Sequence, residues 1–424
     1  MRRASFTILL TAGAILGPAL AAATGCGGDS STSTTTSATT TTSSATTTAG
    51  GTGGQGGAGG SGTTTTSGTG GQGGAGGSGP ACLDASAIAD LFTIAQGSLC
   101  AVAKYEADEL IVQSFQVPSW GAHHGPLTVR PGDMGSVDLV RWTPPNGATG
   151  ALGKSVVHVD AQIPADAFVG SSAVDLPFFG WTAIDWSGAF PNTLGEVILI
   201  KGSSVATRYD ANGAFALGGL LSAPDAGRLL LTGLSPIDET KAGMNGLYAA
   251  DTCGGAAMPA LIPGQDASCK APIAVATWGD ASGPVTVDHD GNAFAVMSSF
   301  SGDQEGRGFA AAEIGHNAGA AEGTKLFTLG GFGSGLAALA PSSGPMGLLA
   351  FQPVDGMTFK ALDVISVEYT VTSGKLTVES GPTQLLKPAV EGTTLGLLTD
   401  DQERLWVAVP TANGTTFVVL ARKP

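Results

Sequence analysis

Short apolar runs recur in pairs along most of the chain, and this recurrence constrains the fold more than any other feature. The runs are separated by Gly, Pro, Asp and Asn, the residues that favour turns. The six pairs repeat at intervals of roughly 60 residues. They are 110–112 with 127–129, 178–179 with 197–200, 229–231 with 247–249, 293–296 with 309–311, 348–351 with 364–367, and 405–407 with 417–420.

Composition agrees with strands rather than helices. Charged residues make up 12% of the chain and Gly contributes 66 of its 424 residues, whereas a typical soluble domain carries about 25% charged residues. We therefore predict an all-β fold, a six-bladed β-propeller over 81–424. A pair of β-sandwiches and a β-solenoid are the alternatives. Helical spacing after Asp84, at Ile88, Leu91, Phe92 and Ala95, predicts one short N-terminal helix.

The first 80 residues have a different character. Arg2 and Arg3 precede an apolar stretch that ends in small residues, which predicts a signal peptide over 1–25. Residues 26–80 are dominated by Gly, Ser and Thr, and they cannot bury a core. We predict a flexible tether with a root-mean-square span of roughly 40 Å.

The end of the signal segment, Ala23-Thr24-Gly25-Cys26, resembles the signal of bacterial lipoproteins. The resemblance implies a lipid anchor on Cys26 and a place in the cell envelope, with the outer membrane favoured. An ordinary cleaved signal near Ala23, which would give a secreted protein, and an uncleaved anchor helix are the alternatives.

Four further cysteines, an even number in an exported chain, favour disulfides over a metal site. We favour Cys82 with Cys100 and Cys253 with Cys269, because each pair brackets a short Gly- or Ala-rich segment. Free buried thiols are the alternative.

Several propeller-like runs follow a polar turn, as at 224–227, 288–292 and 400–403. These turns are similar to those of propellers of the NHL and SMP-30 type, in which such turns precede the second strand of a blade. The resemblance implies one enzymatic alternative: a metal-assisted hydrolase in which carboxylates such as Asp288 or Asp185 converge on a divalent ion.

The local motifs favour structural roles. The segment Asp288-His289-Asp290-Gly291-Asn292 begins like a calcium loop, but Glu305 is too distant to complete it, so we predict a β-turn capped by Asp and Asn. His123 and His124 could share a metal only in a loop, and we interpret them as ordinary loop histidines. We predict no metal, no cofactor and no catalytic residue.

The net charge of −15 and the lack of a basic run beyond the amino terminus argue against nucleic acid as a partner. The expected function is a lipid-anchored binding or scaffolding domain that holds a protein or polysaccharide partner.

Overall fold

The computed structural model describes residues 81–112, 119–121, 123–164, 168–169, 173–176, 180–187, 195–210, 216–220, 228–235, 244–251, 273–278, 281–298, 303–313 and 323–423. These residues form β-strands and single turns of 3-10 helix, with no α-helix among them. The 3-10 turns lie at Ala85–Ala87, Asp133–Gly135, Ala311–Glu313 and Pro341–Ser343.

The described strands make six sheets, numbered here in chain order, and they are antiparallel except for the parallel pairing of β6 with β2. Sheet 1 contains β3 (Ser119–Gly121), β4 (Gly125–Pro131), β5 (Val137–Thr143) and β7 (Gly153–Val159). Sheet 2 contains β8 (Phe168–Val169), β9 (Val174–Leu176), β10 (Trp181–Ser187), β11 (Gly195–Lys201) and β12 (Ser204–Asp210). Sheet 3 contains β13 (Ala216–Leu220), β14 (Arg228–Ser235), β15 (Met244–Asp251) and β16 (Ile273–Trp278).

Sheet 4 contains β17 (Ala281–Val287), β18 (Ala293–Ser298), β19 (Asp303–Phe309) and β20 (Thr324–Gly330). Sheet 5 contains β21 (Phe332–Leu339), β22 (Gly347–Val354), β23 (Val364–Thr372) and β24 (Lys375–Pro388), with β1 (Phe92–Ile94) added at its edge. Sheet 6 contains β25 (Gly396–Thr399), β26 (Leu405–Thr411), β27 (Gly414–Arg422), β2 (Leu99–Ala107) and β6 (Thr149–Ala151).

The sheets follow one another around a ring, which defines a β-propeller. Strand β17 packs against β21, β21 against β25, and β25 against β3, so the first strands of successive sheets lie side by side. Sheet 6 closes the ring because β2, from the start of the domain, pairs with β27 at its end. The predicted all-β propeller is confirmed.

The predicted repeat of six equal units needs a correction. Five sheets are built mainly from strands that follow one another in sequence, and sheet 6 is assembled from both ends of the domain. The predicted first strand at 110–112 is not a strand, and its proposed partner 127–129 lies in β4 between β3 and β5. The apolar residues Ile111 and Val112 are instead buried in the loop that joins β2 to β3.

Four of the predicted pairs are confirmed as antiparallel neighbours. The register joins Leu231 to Tyr248, Ala293 to Phe309, Leu349 to Val367, and Val407 to Val418. In the remaining pair, 178–179 lies outside the described residues and 197–200 lies in β11.

The core consists of apolar layers between adjacent sheets. Phe294 and Phe351 pack between sheets 4 and 5, Leu339 and Leu405 between sheets 5 and 6, and Trp406 with other residues between sheets 6 and 1. A strand in the middle of such a stack is buried on both faces, and all eight residues of β22 are buried. The continuous apolar runs in the sequence follow from this arrangement.

The predicted N-terminal helix is wrong in extent. Asp84 does cap a helical turn, since its side chain accepts a hydrogen bond from the Ser86 backbone N–H at 2.8 Å, but the turn ends at Ala87. The chain then becomes β1, in which Phe92 pairs with Pro388. Ile88, Leu91 and Phe92 are buried against sheets 5 and 6, so packing against the ring overrides their helical spacing.

The uncharged segment 326–354 contains the neighbouring strands β21 and β22. Strands β21 and β22 pair across the 3-10 turn Pro341–Ser343. In the part of the chain that the structure describes, no helix is long and apolar enough to span a membrane.

One predicted disulfide is confirmed. Cys82 and Cys100 are bonded, with their Cα atoms 5.7 Å apart. Cys253, Cys269 and Cys26 lie outside the described residues.

Candidate functional site: the polar face of the ring

The turn between β17 and β18 is a closed, hydrogen-bonded loop. The backbone N–H of Asp288 donates to the carbonyl of Asn292 at 3.0 Å, and the N–H of Asn292 donates to Asp288 Oδ1 at 2.8 Å. This is the predicted turn capped by Asp and Asn, and it precedes the second strand of sheet 4. The calcium-loop alternative gains no ligand from Glu305, which lies on β19 and pairs with Arg307 and Lys325.

The turn between β25 and β26 has the same hydrogen-bond pattern, again between residues i and i+4. Asp400 N–H donates to the Arg404 carbonyl at 3.0 Å, and Arg404 N–H donates to Asp400 Oδ1 at 2.8 Å. Asp400 Oδ2 also accepts hydrogen bonds from Arg404 Nε at 2.6 Å and Trp406 Nε1 at 2.8 Å. The carboxylate therefore ties the turn to the aromatic core beneath it.

Contacts between turns bring the first-to-second-strand connections of four sheets to the same end of the ring, here called the polar face. Asp290 of sheet 4 accepts hydrogen bonds from Ser342 of sheet 5, at 3.1 Å from its N–H and 2.5 Å from its hydroxyl.

The series of contacts continues around the ring. Glu403 Oε2 of sheet 6 accepts from the Ala340 N–H of sheet 5 at 2.6 Å. Asp401 of sheet 6 pairs with His124 of sheet 1. These long-range contacts were missed by sequence reasoning, because no local pattern encodes which turns meet.

Asp288 has both carboxylate oxygens engaged. Its Oδ2 accepts from Asn292 Nδ2 at 2.7 Å and from the Tyr369 hydroxyl at 2.6 Å. Burial raises the pKa of Asp288, and the hydrogen bonds from Asn292 and Tyr369 oppose this shift. Burial also raises the pKa of Tyr369, so its hydroxyl stays protonated and remains a donor. This arrangement stabilises the turn of sheet 4 and ties it to Tyr369 of sheet 5.

Two partly buried charged residues, Glu403 and Arg422, lie near each other where sheets 5 and 6 meet. Burial raises the pKa of Glu403 and lowers the pKa of Arg422, an effect that the nearby charge of Glu403 opposes. Arg422 also donates from Nη2 to the Met346 carbonyl at 2.5 Å.

The two adjacent histidines lie in the turn between β3 and β4 and do not converge. His123 Nε2 lies 3.2 Å from the carbonyl oxygens of Pro126 and Trp142, whereas His124 Nδ1 contacts Asp401. Burial lowers the pKa of His123, and the Asp175 carboxylate partly offsets this. The described residues contain no group of three His, Cys, Asp or Glu side chains that could hold a metal ion.

Beside His123, sheets 1 and 2 are joined by a small polar network that the sequence analysis also missed. Arg141 Nη2 donates to Thr182 Oγ1 at 3.0 Å and approaches Asp175 Oδ1 at 3.5 Å, and Thr182 donates to the same Asp175 oxygen at 2.6 Å.

Asp185, the other carboxylate named in the hydrolase alternative, lies in the middle of β10 in sheet 2, paired with Val197. It is buried, and burial raises its pKa to about 7. The structure places Asp185 within a strand and Asp288 in a turn of sheet 4, so the two do not belong to one cluster among the described residues.

Comparisons with known proteins add little beyond the fold. No protein-family model and no curated protein matches the chain. Solved structures that resemble it include a soluble aldose sugar dehydrogenase from Escherichia coli in the apo-form, at 14% identity, covering 74% of this chain and 99% of that one, with a TM-score of 0.44.

A PQQ-bound aldose sugar dehydrogenase from Streptomyces coelicolor shares 10% identity over 77% of this chain and 98% of that chain, with a TM-score of 0.46. A putative TolB from Agrobacterium tumefaciens shares 13% identity over 73% of this chain and 90% of that chain, with a TM-score of 0.40. At these values the resemblances carry no argument about activity.

Proposed function

We propose that the protein is exported, anchored to the cell envelope by a lipid on Cys26, and displays its propeller as a binding or scaffolding domain at the outer membrane. A protein or polysaccharide is the proposed partner. The tether 26–80 would hold the propeller clear of the membrane surface.

The Cys82–Cys100 disulfide is the observation that carries this proposal. Disulfides persist in oxidising compartments outside the cytoplasm, and this bond lies directly after the predicted tether. Export agrees with the signal segment, and the Cys26 motif supplies the anchor.

The chemistry of the polar face supports a scaffold. Its carboxylates, at Asp288, Asp290, Asp400 and Glu403, accept hydrogen bonds that join turns within and between sheets. We also propose kinship with propellers of the NHL and SMP-30 type, because the Asp288 and Asp400 turns each precede the second strand of their sheets. Among the residues that the structure describes, no group of side chains that could hold a metal ion favours the hydrolase alternative.

Fractionation of cells that express the full chain tests the anchor. Wild-type protein is expected in the membrane fraction, released by detergent, and Cys26→Ser is expected in the soluble fraction. The matched control is Cys82→Ser with Cys100→Ser, which removes two cysteines and leaves the anchor in place. A Cys26→Ser protein that stays in the membrane fraction as fully as the wild type would contradict the proposal.

A further inference from the structure

Large apolar side chains exposed to solvent are concentrated at the end of the ring opposite the polar face. Strands alternate in direction, so the connections from second to third strand, and from fourth strand to the next sheet, lie at that opposite end. Six of the seven exposed large apolar residues in the described part of the chain occupy these connections. They are Leu110, Met134, Met357, Phe359, Leu362 and Val390, and we call this surface the apolar face.

The apolar face spans three consecutive sheets. Met357, Phe359 and Leu362 lie on the β22–β23 connection of sheet 5, and the nearby β24–β25 connection carries Val390. Leu110 lies between sheets 6 and 1, and the β4–β5 turn of sheet 1 presents Met134. Met134 is 99% exposed and Met357 is 91% exposed.

The turns that carry these side chains are closed by hydrogen bonds. In the sheet 5 turn, Asp355 Oδ1 accepts from the N–H groups of Met357 at 3.1 Å and Thr358 at 2.6 Å, and Asp355 N–H donates to the Lys360 carbonyl at 2.9 Å. The hydrogen bonds from Thr358 lower the pKa of Asp355, so the carboxylate stays ionised.

Two of the exposed side chains sit on backbone that such residues rarely adopt. Met134 has φ +52° and Phe359 has φ +55°. Bulky residues at positive φ carry a conformational cost that the surrounding structure must offset. The positive φ therefore costs stability at both positions. Both side chains also leave apolar surface in contact with water.

Carboxylates accompany nearly every apolar residue of this face. Its loops carry six acidic residues and one lysine, namely Asp108, Glu109, Asp133, Asp355, Asp363, Glu391 and Lys360. Lys154 and Arg130 neutralise Asp108 and Glu109 in part, with contacts of 3.3, 2.5 and 2.8 Å. The remaining acidic residues agree in sign with the net charge of −15.

We propose that the apolar face docks a cationic protein segment that presents apolar side chains between lysines or arginines. Apolar anchors contribute most of the affinity of an interface, and charges of opposite sign at its rim select the partner. The acidic residues on the loops of the apolar face repel an anionic lipid surface, and this repulsion favours a protein over a membrane as the occupant. The inference rests on the proposed binding role and is independent of the lipid anchor.

Photo-crosslinking to synthetic peptides tests this proposal on the full chain. The probe is an amphipathic leucine–lysine peptide of about four helical turns that carries a photoreactive residue. A leucine–glutamate peptide of equal hydrophobicity and a serine–lysine peptide of equal charge are the comparisons. Vesicles of zwitterionic and of anionic lipid test the membrane alternative.

The test variant combines Met357→Ser with Phe359→Asn, because asparagine tolerates positive φ. The matched control is Val156→Ser, since Val156 is the seventh exposed apolar residue and lies on the outer strand β7, away from the face. Equal thermal midpoints for the three proteins show that the changes leave the fold intact.

The proposal predicts crosslinks within 132–136, 355–363 or 389–392, and an affinity for the leucine–lysine peptide that falls at least about tenfold in the double variant and stays unchanged in Val156→Ser. Equal binding of the serine–lysine peptide, or binding of vesicles in place of the peptide, would overturn it. Crosslinks confined to the polar face would overturn it while leaving a binding role standing. A complete lack of peptide binding would also overturn it, and the Cys26→Ser fractionation would still judge the anchor separately.

Discussion

Replacing Asp400 by alanine should destabilise the propeller more than any other single change in a turn of the polar face. The Asp400 side chain is fully buried, with 0% exposure, and it accepts hydrogen bonds from the backbone N–H groups of Gln402 and Arg404, from Arg404 Nε and from Trp406 Nε1. Alanine would leave the buried indole N–H without its acceptor and the guanidinium of Arg404 without its counter-charge.

The magnitude follows from these contacts. A hydrogen bond to a charged group contributes about 1.5–3 kcal/mol, and removing one partner of a buried ion pair costs about 3–5 kcal/mol. Water can reach Gln402 and part of Arg404 after the change, so the losses do not add fully. We expect the free energy of unfolding to fall by about 4 kcal/mol.

The adjacent residue provides the control. Asp401 lies in the same turn and contacts only His124 among the described residues, in a surface pair whose side chains are 36% and 78% exposed. Such pairs contribute below about 1 kcal/mol. Urea unfolding of the wild type, Asp400→Ala and Asp401→Ala measures both effects, and equal losses for the two variants would refute the assignment of the Asp400 network.

Three further predictions concern other parts of the ring. The pKa of Asp185 rises from 3.8 to about 7 on folding, so the folded state holds a proton that the unfolded chain releases. The free energy of unfolding should therefore fall by about 1.4 kcal/mol per pH unit between about pH 4 and pH 7. Asp185→Asn should remove this slope in urea midpoints measured from pH 5 to pH 8, and an unchanged slope would contradict the shift. Replacing Cys82 and Cys100 by alanine should cost about 3 kcal/mol, since the bond closes a loop with a sequence separation of 18 residues; midpoints that match the oxidised wild type would count against a stabilising bond. Gly331→Ala should destabilise the fold far more than Gly202→Ala. Both glycines have positive φ, but a Cβ at Gly331 would lie 1.9 Å from the Val354 carbonyl oxygen, whereas nothing lies within 4 Å of a Cβ at Gly202. Equal thermal midpoints for the two variants would contradict this prediction.

The sequence predicts the propeller because the formation of its strands and turns depends on residues that are close together along the chain. Strands that are buried on both faces are mostly apolar, as in β22, where Gln352 is the one polar side chain, and in 417–421 of β27. The turns between such strands favour Gly, Pro, Asp or Asn. The same reasoning finds the Asp288 and Asp400 turns, since a side-chain cap reaches only a few residues along the chain.

The errors arise where distant parts of the chain decide the structure. The spacing of Ile88, Leu91 and Phe92 fits a helix, but pairing of β1 with β24 makes Phe92 part of a strand. Likewise, sheet 6 joins residues from both ends of the domain, and a count of sequential units cannot reveal this. The contacts of Glu403 with Ala340 and of Asp401 with His124 also depend on the closed ring.

The apolar face could not be predicted from composition for a related reason. Met134 and Phe359 are apolar residues that a pattern assigns to the core, and only the turn geometry shows that they point to solvent. A bulky residue between turn-forming residues is the one local signal that could have identified them.

Intact mass of protein purified from the membrane fraction tests the central claim most directly. We expect a mass equal to residues 26–424 plus attached acyl groups, with two hydrogens gained on reduction of the Cys82–Cys100 bond and two more if the predicted Cys253–Cys269 bond is present. Protein recovered from the soluble fraction, with no acyl group and a first residue other than Cys26, would contradict the lipid anchor. It would also contradict the proposed display of the propeller at the envelope.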